Sequence, residues 1–496
     1  MEPLGTITIF YPYVDDETRE ILDSTMKDSS NFNDFVRRFC DIVVEQDTPM
    51  LTEYLATHFV LTLEELRFGV KLLEADKISP MAAPLLMLFQ SVYEQKYSWD
   101  EITEALKVAL SEAPNDWFVC HIYLTWSVYV VYLPIFPPSK FDLHPYDSVI
   151  DSIREKDEFE YFRSYLLLID AFKLVNEYKM AQASVLGEEA LQIAKKYDDQ
   201  LLMTSIFLFI GQELKHSDVK RAIDYVLQAR DLSEKHGFEE GLGLVQHILS
   251  HIHGIRGEYD AAIEHQKNYR DMLLSRSKRV GFVDAVIALY YNMSGDGESA
   301  YDYVKDFNFI NTPARFSAHF QTQIVWSMYN LQRYNKARVE LQKLHQLAIE
   351  SGEDMFLMRY ELLEALLDKA EGDFDNAKRT LEKIYGYYEK DPIPAFENHC
   401  LLHLVDIEIA NLSIDSLDTK AELSGPWMKV LDEHVRRFDL PGIDAQSKFM
   451  KAKLRQKQCH TEEVTRLISE VSKASESPSM RYLKNLISKE FPEIVQ

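Results

Sequence analysis

Helix breakers are scarce in this sequence: 17 glycines and 17 prolines stand in 496 residues, below the usual shares of about 7% and 5%. Sandwiches, barrels and collagen-like chains need many of both, so a mostly helical chain is expected. Cysteine is scarcer still. Cys40, Cys120, Cys400 and Cys459 lie far apart and form no Cys-x-x-Cys pair, which excludes zinc-ribbon and thioredoxin-type chemistry and a disulfide framework. Cys40 and Cys120 sit in apolar runs and read as small core residues. A reducing, cytoplasmic setting fits this usage. Positive charge is also short. The 54 Lys and Arg face 80 Asp and Glu, a net charge of -26, and the pI is near 5.0. A protein held by phosphates needs a Lys/Arg surface, and anionic membranes attract basic segments, so neither is an expected partner.

Signals for export, membrane insertion and catalysis are missing too. The opening MEPLGTITIFYPYVDDE has no basic n-region and no apolar core before a small-residue cleavage site, so no signal peptide is expected. The long apolar run Phe118–Phe136 holds His121, Thr125, Ser127 and Pro134 and lacks flanking positive charge; it reads as a buried helix. No glycine precedes a lysine, and GxGxxG, HExxH and GxSxG do not occur, so phosphate-loop, dinucleotide, zinc-protease and serine-hydrolase readings fall away. No cofactor and no enzymatic activity are expected.

What is present is a period. In GEYDAAIEHQKNY, Tyr259 leads to Ala262, with Tyr269 seven positions on; GDFDNAKRTLEKI repeats this with Phe374, Ala377 and Ile384, and RYNKARVELQKL with Tyr334, Ala337 and Leu344. The same small anchor recurs at Ala183, Ala222 and Ala300, so six anchors are spaced by 39, 40, 38, 37 and 40 residues. An earlier copy sets Trp99, Ile102, Ala109 and Pro114 at the same relative positions. Each unit reads as two amphipathic helices that cannot bury their apolar faces alone, whereas stacked neighbours make a continuous core. Alanine at the anchor lets the helices of a hairpin approach closely, and Gly, Asp or Asn between them supplies the turn. Gly237 and Gly352 read as helix stops.

These segments resemble tetratricopeptide (TPR) repeats, helix–turn–helix units of 34 residues with small residues at positions 8, 20 and 27 and Pro at 32. The copy at 83–116 fits that length, and the longer spacing elsewhere is similar to the superhelical repeats of the maltose-regulator type. The resemblance covers about 80–400 and continues weakly to about 475. It implies an all-α, right-handed α-solenoid of stacked TPR-like hairpins.

The flanks fit the repeat less well. Residues 1–80 read as an N-terminal strand plus a helical cap or irregular repeats, 81–400 as the superhelix, and 401–496 as degenerate repeats and a capping helix. The strand signal is Thr6, Ile7, Thr8, Ile9, Phe10 and Tyr11; it is expected to pair with another chain, to form an arm or to pack along its own solenoid. Leu133–Pro145, with its four prolines, reads as an insertion or a contact loop. The basic stretch Lys448, Lys451, Lys453, Arg455 and Lys457 reads as a solvated helix face.

Two sets of residues are candidates for function. His247 and His251 are four apart on one helix face and could grip a metal ion, with His253 pointing elsewhere; His399 and His403 share a face in apolar surroundings that read as core. The second set comes with the resemblance, which implies a concave groove lined by the first helix of each unit. Carried over, it places Tyr165, Leu168, Phe172, Phe207, His247, His251, Leu289, Trp326, Tyr329 and Asn330 there, with His319, Arg359 and Lys369 beside them. These positions lack the Lys and Asn of the family's chaperone-tail clamp. Tight winding would bury them as core instead. The expected function is a non-enzymatic scaffold or adaptor that binds a protein or peptide through apolar and aromatic contacts in the groove. The alternatives are a ligand- or peptide-sensing regulator whose superhelix changes shape, and a metal-binding protein using His247 and His251.

Overall fold

The computed structural model describes all residues except 2–3, 63–77, 95–96, 133–150, 152, 154–155, 177–178, 276–280, 310–311, 313, 389–393, 412–424, 439, 459 and 495–496. The chain is an all-α solenoid of TPR-like hairpins, with no strand among the described residues. It divides into two compact units, Met1–Lys215 with Lys220–Val245, and His216–Val219 with Gln246–Gln496. The proline-rich stretch Leu133–Pro145 lies outside the described residues, as does Cys459.

The first unit runs through α1 (Gly5–Thr8), α2 (Asp16–Asp28), α3 (Phe32–Glu45), α4 (Met50–Thr62), α5 (Ala83–Glu94), α6 (Trp99–Glu112), α7 (Asp116–Tyr132), α8 (Glu160–Asn176), α9 (Met180–Lys196), α10 (Gln200–Leu214) and α11 (Val219–His236). Local chemistry sets the starts. Asp15 and Asn31 accept the backbone N–H of Thr18 and Asp34, and Ser98 with Glu101 closes a reciprocal capping box. The apolar run from Phe118 forms most of α7, with Phe118, Ile122 and Leu124 almost wholly buried. No described helix is long and apolar enough to cross a membrane.

The second unit takes up α12 (Glu239–Ile255) from Gln246 and continues with α13 (Tyr259–Ser275), α14 (Gly281–Met293), α15 (Gly297–Val304), α16 (Ala314–Asn330), α17 (Tyr334–Ser351), α18 (Asp354–Glu371), α19 (Phe374–Tyr388), α20 (Pro394–Asn411), α21 (Pro426–Phe438), α22 (Pro441–Lys457), α23 (Thr461–Ala474) and α24 (Tyr482–Glu490). All six anchor alanines lie in second helices and are 0% exposed. The turns between first and second helices repeat one geometry. Residues 257, 295, 332 and 372 are left-handed, with φ of 75°, 86°, 57° and 92°. The following N–H reaches back to the carbonyl five residues earlier, as in Glu258 to His253, Asp296 to Tyr291, Arg333 to Met328 and Asp373 to Asp368, each at 2.8–2.9 Å. This is the Schellman closure, which favours glycine; Gln332 adopts it without one. Gly237 and Gly352 end α11 and α17 with φ of 73° and 68°.

In the second unit first helices of neighbouring hairpins pack on one another, α14 on α16, α16 on α18, α18 on α20 and α20 on α22, and form an inner layer. The second unit curls until this layer meets its own start. Asn398 Nδ2 donates to Ile255 O at 3.0 Å, Gly442 N–H to Arg256 O at 2.9 Å and Tyr482 OH to Gly257 O at 2.9 Å.

One expectation is overturned. Residues 6–14 are not a strand: Gly5–Thr8 is a helical turn, followed by further turns to Tyr13. An unpaired strand would leave backbone groups without partners. Here Ile7 and Thr8 N–H bond back to Leu4 O, and Ile9 N–H to Gly5 O.

Candidate functional site

Curvature decides what the inner layer can do. Trp326 on α16 touches Phe396 and His399 on α20, with ring centroids 6.3 and 4.7 Å away. Side chains two hairpins apart meet only where first helices line the inside of a tight curve. Trp326 is accordingly 1% exposed.

Around it the second unit gathers ionisable groups from α16, α18, α20 and α22. Arg359 donates to His319 Nδ1 at 2.9 Å and lies over the Phe356 and Phe396 rings at 5.3 and 4.9 Å. A guanidinium only donates, so His319 accepts through Nδ1 and is neutral. Burial, then Arg359 and Arg315, hold its pKa well below the ordinary value. Lys369 bonds the Asp406 carboxylate and stands 3.1 Å from His403 Nδ1, while Lys453 donates to the other Asp406 oxygen at 2.6 Å. Burial alone would raise Asp406; the two ammonium groups outweigh it and hold the carboxyl at about 2. Burial lowers Lys369 against the pull of Asp406, and lowers His399 to about 3 and His403 well below its ordinary value. Thus Lys369 and Lys453 converge on Asp406, while Arg359, ten residues before Lys369 on α18, is held by His319 and the Phe356 and Phe396 rings.

The groove positions carried over from the resemblance fall into separate groups. Tyr165 is buried beside Tyr161, their hydroxyls 3.1 Å apart. Leu168 is buried, and Phe172 is half-buried against Phe209 at 4.7 Å. Phe207 packs towards Tyr225 and Lys195 on second helices. Leu289 is half-buried against the core of the second unit. Tyr329 packs on Tyr334, and Asn330 Nδ2 donates to Asn292 O at 2.9 Å.

His247 and His251 do face each other, Nε2 to Nε2 at 3.3 Å. Gln266 Oε1 lies 3.2 Å from His247 Nδ1 and Tyr290 OH lies 3.0 Å from His251 Nδ1. His253 turns away to Glu258, at 2.7 Å, and stacks on His265. Among the described residues no three His, Cys, Asp or Glu side chains are grouped to hold a metal ion.

The basic stretch on α22 is not a uniformly solvated face. Lys453 turns inward to Asp406, Lys457 Nζ caps the end of α20 at Ile409 O, 2.7 Å away, and Arg455 pairs with Glu463 at 2.8 Å. Sequence reasoning missed Asp406 and Lys453. The available signal was an acid and a base in first helices of consecutive units, 47 residues apart.

In the first unit Tyr54 and His58 of α4, Trp117 and His121 of α7, and Tyr161 and Tyr165 of α8 pack into one aromatic cluster. Tyr54 OH lies 2.5 Å from His121 Nδ1, and the His58 and His121 rings are 4.6 Å apart. Burial lowers His58 to about 4 and takes His121 well below its ordinary value. None of Tyr54, His58, Trp117 and His121 was singled out as a site from the sequence.

No protein-family model matches the chain, and no curated protein matches it. Among solved structures, a Rap protein complexed with competence and sporulation factor is 13% identical, with 82% of this chain and 98% of that one covered and a TM-score of 0.45. A chain from the structure of Naa15/Naa10 bound to HypK-THB is 12% identical, with 98% and 83% covered and a TM-score of 0.29. At these scores no residue role or ligand passes from either protein to this one.

Proposed function

We propose that this chain is a non-enzymatic scaffold that binds a segment of a partner protein at the inner face of its second unit. The observation that carries the reading is three cations buried or half-buried on first helices, Lys369 and Lys453 on Asp406 and Arg359 on His319, in a chain of net charge -26. Buried ion pairs rarely repay their desolvation in stability. An acidic protein that keeps three cations on one enclosed face holds a local potential that draws an anionic group. Tyr329, only partly buried and near enough to Asp406 to feel its charge, supplies aromatic contact. The fitting partner segment therefore carries a carboxylate next to a large apolar or aromatic side chain. The sequence carries no phosphate-loop, GxGxxG, HExxH or GxSxG motif, and the buried cysteines Cys40, Cys120 and Cys400 suit a reducing cytoplasm.

The test compares the wild type with Arg359→Gln/Lys453→Gln in capture from the native cell extract, followed by direct titration of the captured protein. The expected result is a partner whose affinity falls at least ~10-fold in the variant, since hydrogen bonds to charged groups contribute about 1.5–3 kcal/mol each. Equal affinity in a folded variant would remove the cationic face from the reading.

A further inference from the structure

One face of the first unit already holds a segment: its own residues 4–10. Leu4, Thr6, Ile7 and Phe10 are 5%, 3%, 0% and 1% exposed. They pack on α4, α7 and the start of α10. Thr6 Oγ1 donates to Asp199 Oδ1 at 2.8 Å and accepts the Leu201 N–H at 3.0 Å, so the start of α10 clamps it. Asp199 also accepts from Tyr161 OH at 2.8 Å. Gly5 lets the segment's backbone approach the turn before α10, where a Cβ would lie 1.9 Å from Asp198 O. Phe10 fills a box of His58, Phe59, Trp117 and His121, with centroids 5.1–5.9 Å away.

The segment's own sequence does not dictate this shape. Thr-Ile-Thr-Ile-Phe favours extended backbone, yet it takes one four-residue helical turn, so the host surface imposes the conformation. The chain is tied to α2 on either side of the segment: the Met1 ammonium donates to Met26 O at 3.3 Å and Ser29 O at 2.8 Å. Arg19 donates to Tyr11 O at 2.6 Å and so ties residue 11 to α2, and Asp15 caps α2 independently. These ties are made by residues 1 and 11, so residues 4–10 can leave their site without unwinding α2.

We propose that residues 4–10 are a resident ligand of the first unit, and that their release opens this face to a partner segment of the same chemistry. Such a segment presents Gly-Thr to Asp199 and the start of α10, an aliphatic residue next, and an aromatic residue three positions further for the histidine-tryptophan box. Until release, the face is closed to that partner. This exchange does not depend on the cationic face of the second unit.

The test uses the full chain with Gly5→Ala/Phe10→Ala, which ejects the segment, and a labelled peptide of residues 1–12 as the probe. The expected result is one-to-one binding of the peptide by the variant, and at least tenfold weaker binding by the wild type, whose site is occupied. A peptide carrying Thr6→Val or Phe10→Ala should bind the variant at least tenfold more weakly than the unaltered one. A folded variant that does not take the peptide, or takes it no better than the wild type, overturns the proposal. If the variant does not fold, hydrogen exchange on the wild type decides. Amides of Ile7 to Phe10 should exchange through local opening at least tenfold faster than those of α10; exchange at the same slow rate would make the segment fixed core and refute its role as a ligand.

Discussion

Trp326 shows how one side chain divides the groove reading from the core reading. Its place on a first helix was legible from the repeat register, but its exposure was not, because exposure depends on how tightly later hairpins curl back over it. At 1% exposed, with Phe396 and His399 against the ring, it is packed on every side. Trp326→Ala should therefore cost about 3–5 kcal/mol, read as a lowered denaturant midpoint with unchanged slope. A loss under about 1 kcal/mol would show that the ring faces open space. The same limit explains the other missed residues. Thr6 meets Asp199 across 193 positions and Lys453 meets Asp406 across 47; neither pair repeats, so no period announces it.

Single elements were far more legible. The anchor alanines and the turns after first helices recur with the repeat, and each turn is closed by contacts within about five residues, so local sequence is enough to specify them. The N-terminal segment failed as a strand for the opposite reason: its conformation is set by helices remote in sequence. Two turn glycines separate local from closing roles. Gly372 has φ 92° and open space around an added Cβ, so Gly372→Ala should cost only the left-handed penalty of about 1–2 kcal/mol. Gly257 has φ 75° and a Cβ there would sit 2.9–3.0 Å from Ile443 and the Gly442 backbone. Gly257→Ala incurs the same strain and also pushes α22 away from the Arg256 carbonyl that Gly442 bonds. The second loss should exceed the first by about 1 kcal/mol or more, since that backbone bond is worth about 1. Equal midpoints for the two variants would show that the contact to α22 adds nothing.

At the scale of the whole molecule, both units bury imidazoles that cannot charge in place. His58 is held at about 4 and His399 at about 3 by burial, and His121, His319 and His403 lie well below their ordinary value. In the unfolded chain each titrates near ~6.5, so below that pH the unfolded state binds more protons than the folded one and stability falls with pH. The contribution is fully present above about 6.5 and is lost progressively down to each folded value, at up to ~1.4 kcal/mol per pH unit for each imidazole. The competing effect is relief of self-repulsion as the net charge of -26 shrinks. Most of that relief comes near the carboxylate range, about pH 4, so between pH 6.5 and 5 the imidazoles dominate. Urea midpoints should drop steeply from pH 7.5 to pH 5. His58→Gln, which removes one of these groups, should shrink the drop relative to the wild type even if its midpoint at pH 7.5 is lower. A midpoint that stays level between these pH values, or a drop unchanged in His58→Gln, would mean that His58 takes up its proton without leaving its packed position between Phe10 and His121.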